Sequence, residues 1–236
     1  MTVEPKAVEI ELRGARVRYG PLEALHGVDM PVPAGGPLTV LLGRNGSGRT
    51  TVLRALAGTV PLTAGRVLWS GKDISRLHAH ERARRGLCFV PDRHAVYATL
   101  TVAENLELAA PDKDFTPALD GYPALRALLP RRAGTLSGGE QRMLAVSRAV
   151  LSRARVVLVD EPTQGMSPSM AARTYELLTG LAPEAAVVIA EQRVPPALPL
   201  RTASHPVIVH ELRRGSVVFR GEASELTPPS RSSPTE

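Results

Sequence analysis

The sequence predicts an α/β fold: a parallel sheet with crossover helices, an antiparallel β subdomain ahead of it, and an inserted α-helical subdomain. Three observations carry this. The apolar run Leu38-Thr39-Val40-Leu41-Leu42 leads through a glycine-rich stretch into Val52-Leu53-Arg54-Ala55-Leu56-Ala57, which reads as strand, loop, helix. Short apolar runs at Val156 to Val159, Ala186 to Ala190 and Val207 to Val209 alternate with helical stretches, as a parallel sheet requires. From Leu100 to Leu136 the pattern turns helical.

In chain order, Val8-Glu9-Ile10-Glu11-Leu12 and Gly27-Val28-Asp29-Met30-Pro31-Val32 alternate like half-buried antiparallel strands, with Tyr19-Gly20-Pro21 as a turn. Gly65 to Trp69 and Leu87 to Val90 read as strands on either side of a charged helix around His78 to Arg85. The insertion has helices at Val102 to Leu108 and Tyr122 to Leu129, flanking a proline- and aspartate-rich connection. Pro228 to Pro234 is too poor in apolar groups to fold. These readings give a single domain over residues 1–226, a helical insertion at about 93–136 and a disordered tail over 227–236.

The loop before the first helix, Gly43-Arg44-Asn45-Gly46-Ser47-Gly48-Arg49-Thr50-Thr51, fits the phosphate-binding P-loop pattern except at Arg49, where the pattern has lysine. In such a loop the glycines let several N–H groups converge on one anion, and the helix N-terminus adds partial positive charge. The lysine reaches the β- and γ-phosphates, and the next hydroxyl, here Thr50, ligates Mg2+.

Composition removes several function classes. No run approaches the roughly 18 apolar residues of a membrane span, and Met1 to Lys6 lack a signal-peptide apolar region, so a cytosolic location is expected. Cys88, in the apolar run Leu87 to Val90, is the single cysteine and reads as a buried, inert thiol; neither a disulfide nor a cysteine-rich metal site can form within the chain. The net charge is +6, but only three of the 29 basic residues are lysines. The charge is scattered, densest at Arg82, Arg84, Arg85 and at Arg131, Arg132, with almost no aromatic residues among them. That pattern argues against direct nucleic-acid binding and reads as solvated surface or contact with anionic lipid headgroups.

Leu136-Ser137-Gly138-Gly139-Glu140-Gln141, continued by Arg142 to Ala149, offers a hydroxyl, two glycines and a helix N-terminus to an anion. It resembles the signature motif of the ATP-binding cassette (ABC) family, whose fold is a P-loop NTPase core. The resemblance implies ATP and Mg2+ as cofactors. It also implies a head-to-tail dimer, in which Ser137, Gly138 and Gly139 close on the nucleotide held by a second ABC ATPase subunit. Val156-Val157-Leu158-Val159-Asp160-Glu161-Pro162-Thr163 resembles the Walker B element, with Asp160 holding Mg2+ and Glu161 acting on the attacking water.

Within that resemblance Tyr19 stands where an aromatic ring stacks on adenine, although a lone tyrosine equally suits the core. Gln164-Gly165-Met166-Ser167 stands at the D-loop, with Ser167 for its usual aspartate. Gln192 holds the switch position, most often histidine, and Asp92 stands where a glutamine senses the γ-phosphate and Mg2+. Ordinary loop chemistry is the alternative reading at these last three places.

Ala24 to Val28, Phe89 to Arg93, Leu100 to Leu106, Gly134 to Ser137 and Ala190-Glu191-Gln192 look like the smaller ATP-binding subunit of branched-chain amino-acid importers, over about Val8 to Leu226. In that subfamily the positions of Asp92 and Gln192 are often acidic and glutamine. The chain departs from it after Gln192, where Arg193-Val194-Pro195-Pro196-Ala197-Leu198-Pro199 cannot form a regular helix.

Arg49 also departs. A longer planar fork in place of a compact ammonium could cost on the order of 3 kcal/mol, about a hundredfold in rate. The resemblance therefore implies an ATPase subunit, gripped through its insertion by transmembrane permease subunits at the inner face of the membrane. A catalytically weak half of a heterodimer, or the ATPase of an exporter, is the alternative.

Overall fold

The computed structural model describes residues 8–198 and 206–226. β1 (Val8–Tyr19) turns at Gly20-Pro21 into β2 (Leu22–Pro33), and the two pair antiparallel along their length. β3 (Thr39–Leu42), buried at all its residues, feeds the glycine loop and α1 (Arg49–Ala57). β4 (Ala64–Trp69) and β5 (Lys72–Asp73) complete an antiparallel sheet in the order β2-β1-β4-β5. β2 lies at its edge, a position that tolerates Pro31 and Pro33.

α2 (Ala79–Arg84) leads to β6 (Leu87–Val90), and the helical insertion follows. α3 (Val102–Glu107) starts at a Thr101–Glu104 capping box. Two expectations are corrected here. The segment read as a proline- and aspartate-rich connection contains α4 (Thr116–Gly121), because Pro117 sits in a first helical turn, where its missing N–H costs nothing. The helix expected from Tyr122 to Leu129 is instead a 3-10 segment, Pro123–Leu128, confined between Pro123 and Pro130.

α5 (Gly138–Leu151), β7 (Val156–Asp160), α6 (Pro168–Leu181) and β8 (Ala186–Glu191) continue the α/β alternation. β9 (Ile208–Arg213) joins β3 in parallel, and β10 (Ser216–Glu222), absent from the sequence expectation, turns back antiparallel. The six-stranded order is β10-β9-β3-β8-β7-β6, parallel from β9 to β6. Beyond Gln192 the chain is irregular, with a turn closed by Leu198 N donating to Pro195 O, as the prolines require. Pro199 and the tail over 227–236 lie outside the described residues.

Side chains that alternate along β3, β7 and β8 build a core on each face of this sheet. Val40, Leu42, Val157, Val159, Val187 and Ile189 pack toward the helices of the insertion, α5 and α6. Leu41, Val156, Leu158 and Val188 pack toward α1 and the antiparallel sheet. Cys88 is half-buried rather than buried, and burial pushes its thiol above the usual range, which suits an unreactive side chain. Among the described residues no helix is long and apolar enough to cross a membrane.

Candidate active site

The glycine loop is shaped for an anion. Gly48, at φ +108°, caps α1 without a side-chain hydrogen bond, so the first N–H groups of the helix have no capping oxygen and no acidic neighbour in the first turn. A Cβ at Gly48 would meet Leu25 Cδ2 at 3.0 Å and Ala24 O at 3.1 Å, so the antiparallel sheet presses against the loop. The turn between β9 and β10 braces it from the other side, with Gly215 N donating to Ser47 O at 2.8 Å and His26 N donating to Gly215 O at 2.9 Å.

Two carboxylates arrive at the end of β7. Asp160 is fully buried, and neither of its oxygens has a partner at hydrogen-bond geometry. Burial raises its carboxyl above the usual range; the nearby Thr50 hydroxyl lowers it, Asp92 raises it, Arg49 lowers it and Glu161 raises it. A buried carboxylate left orphaned beside a hydroxyl and a second acid fits a divalent cation that prefers oxygen ligands. Glu161 carries a left-handed φ of +46°, a strained backbone for a side chain of its size. Its N–H is pinned to Ala190 O at 3.0 Å, and its Oε1 accepts from Arg49 Nη2 at 3.0 Å and from Gln192 Nε2 at 3.2 Å.

These groups surround one open cavity of about 660 Å³. Arg44, Asn45, Gly46, Ser47, Gly48, Arg49, Thr50 and Thr51 line it, while Gly43 and Asp160 are buried and outside its lining. Glu161, Gln192 and Asp92 reach it from three different loops. Tyr19, 42% exposed at the rim, is not a core residue.

Ser137, Gly138 and Gly139 are not brought into this cavity. Ser137 Oγ accepts from Glu140 N at 3.3 Å, and Ser137 N donates to Glu140 Oε2 at 2.7 Å, a capping box at the start of α5. Gly138 borders a second hollow, walled also by Asp92, Arg93, Gln164 and Gly165. Ser167 caps α6, its Oγ accepting from Met170 N at 3.4 Å.

The family model described as ABC transporter matches residues 25–164. The chain belongs to the ABC transporter family. It is 36% identical over 217 residues to the "Probable branched-chain amino acid transport ATP-binding protein LivF" of Archaeoglobus fulgidus, covering 88% of this chain and 89% of that one. It is 35% identical over 216 residues to the high-affinity branched-chain amino acid transport ATP-binding protein BraG of Pseudomonas aeruginosa, covering 88% and 90%. Among solved structures, an ATP-binding subunit of an ABC transporter superimposes with a TM-score of 0.78 at 21% identity, over 92% of this chain and 90% of that one, a likeness of fold.

The sequence reading missed several residues that organise this ABC cassette. Glu191, at the end of β8, is a partly buried acid whose Oε1 accepts from Tyr175 Oη at 2.6 Å and Thr163 Oγ1 at 3.4 Å. It thereby ties α6 and the turn after Glu161 to the strand that delivers Gln192; burial chiefly raises its pKa. Arg142, buried on α5, donates to Pro91 O at 2.8 Å and Asp92 O at 2.7 Å. A charged residue among Met143, Leu144 and Ala145 was the available signal, because an arginine on a buried helix face must find acceptors. Arg214, in the brace between β9 and β10, also lines the cavity, and no sequence pattern marked it.

Proposed function

We propose that this chain binds and hydrolyses ATP as the nucleotide-binding domain of an ABC transporter, powering passage of a small solute. Branched-chain amino acids are the class favoured by the names of its LivF and BraG relatives. The observation that carries the reading is the convergence of the glycine loop and the Glu161–Gln192 pair on one cavity, with the orphaned Asp160 carboxylate buried next to Glu161 behind its wall.

In this reading the loop amides and Arg49 hold the phosphates and Tyr19 stacks on the base. Thr50, Asp160 and Asp92 would hold Mg2+, which when bound neutralises phosphate charge. Glu161 orients the attacking water and receives its proton, and Gln192 positions the Glu161 carboxylate. Ser137, Gly138 and Gly139 serve the site of a second ABC ATPase subunit; their position outside the cavity of their own chain supports this assignment. The permease subunits dock against the insertion, which offers exposed Leu108 and Tyr97 beside a hollow lined by Cys88, Phe89 and Ala95. Such docking places the subunit at the inner face of the membrane.

Arg49 favours a second reading, a catalytically weak half of a heterodimer. Hydrolysis rates of wild type, Arg49→Lys and Glu161→Gln separate the two. A brisk wild type abolished by Glu161→Gln supports the working ATPase. A silent wild type revived about a hundredfold by lysine supports the weak half. Failure of the purified chain to bind Mg-ATP sinks both.

A further inference from the structure

The residue that departs from the phosphate-loop pattern and the residue assigned as general base touch each other. Arg49 Nη2 lies 3.0 Å from Glu161 Oε1, with the two side chains only 5% and 15% exposed. The same nitrogen reaches Asn45 Oδ1 at 3.4 Å, and Gln192 Nε2 donates to the same carboxylate oxygen. Nη1, the other tip of the fork, is buried without a partner. An internal carboxylate therefore sits on the cation that the loop presents to a ligand, and one donor of that cation is left unsatisfied.

A charge-assisted bond in such dry surroundings is strong, and breaking it strands two poorly solvated charges unless another anion arrives. A polyphosphate entering the loop is such an anion. It can satisfy Nη1 and replace the carboxylate on Nη2, since a guanidinium fork offers two donors where an ammonium offers a single point charge. Glu161, once displaced, turns to the cavity that it already lines.

We propose that Arg49 and Glu161 form a resting latch, in which Glu161 occupies the place of a nucleotide phosphate on Arg49 and is withheld from chemistry until a polyphosphate displaces it. The proposal rests on the ATP-binding reading above. Its signature is thermodynamic coupling between the two residues in nucleotide affinity, because the ligand must compete with Glu161 only while the fork holds it.

The test is titration of a fluorescent ATP analogue with Mg2+ into wild type, Glu161→Asp and Glu161→Gln, each carrying either Arg49 or Arg49→Lys. Glu161→Asp keeps the charge but shortens the reach, so it separates loss of the contact from loss of a nearby negative charge; it also serves if Glu161→Gln misfolds. The latch predicts that both substitutions tighten binding about tenfold with Arg49, and by less than about threefold with Arg49→Lys. Equal tightening in the two backgrounds, or none in either, overturns the latch while leaving ATP binding intact. Absence of binding in all six proteins overturns the ATP reading itself, and the latch with it.

Discussion

Arg82 is 2% exposed, and its guanidinium spends its hydrogen bonds on backbone carbonyls: Ala55 and Leu56 at 2.7 Å, Leu77 and Ile74 at 3.0 Å, and Ser75 at 3.3 Å. Two of these acceptors lie in the last turn of α1, so the cation also faces the negative end of that helix. Burial lowers its pKa to about 10, partly offset by Glu81, and it remains charged at neutral pH. The clustering of Arg82 with Arg84 and Arg85 reads from sequence as solvated charge, and for Arg82 that reading is wrong. Composition cannot distinguish an arginine facing water from one facing five carbonyls. Arg82→Met should cost at least about 3 kcal/mol in urea unfolding, because it leaves buried acceptors unpaired. Arg84→Met, at an exposed position, should stay within about 0.5 kcal/mol of wild type. Equal effects at the two positions would show that the carbonyl cluster contributes nothing.

At the level of the element, α5 links the signature motif to the loop that carries Asp92. Its first turn is the Ser137–Glu140 capping box, its second supplies Arg142 to the carbonyls of Pro91 and Asp92, and its fourth supplies Arg148. Arg148 donates to Ala95 O at 2.8 Å and lies 4.8 Å from the centre of the Tyr97 ring, a cation–π contact. The helix was legible because its cap, glycines and apolar periodicity are local. What it holds was not, since Arg142 and Asp92 are 50 residues apart in sequence. The same limit hid the contact between Arg49 and Glu161, 112 residues apart, although each was singled out alone. Arg142→Gln should loosen the loop without unfolding the domain. Arg93, whose side chain is 85% exposed in that loop, then becomes the reporter. Trypsin cleavage after Arg93 should accelerate at least about tenfold at unchanged global stability. An unchanged rate means that α5 does not restrain the loop.

Among the described residues the molecule is two cores sharing one sheet, and the strands β3, β7 and β8 between them were visible in the sequence as short apolar runs. Position 210 breaks that pattern. His210 is fully buried on β9, opposite Leu41 of β3 and Arg220 of β10, with no partner for either ring nitrogen. Burial, helped by Arg220, lowers its pKa to about 4 from the usual 6.5. Above pH 6.5 both folded and unfolded chains hold a neutral ring, and this residue adds no pH dependence. As the pH falls below 6.5 the unfolded chain takes up a proton that the folded one refuses. Stability is therefore lost progressively down to about pH 4, on the order of 3 kcal/mol in all, and the loss then levels off. Asp160 and Glu191 act in the opposite sense: their raised pKa values make the folded state the tighter proton binder, so acidification through their range favours folding. The histidine contribution is isolated by difference. His210→Leu removes the titration but leaves the carboxylates in place, so urea unfolding of the variant should lose about 3 kcal/mol less than wild type between pH 7 and pH 4. Stability curves that run parallel over that range would mean that a buried neutral His210 does not set the acid limit of the fold.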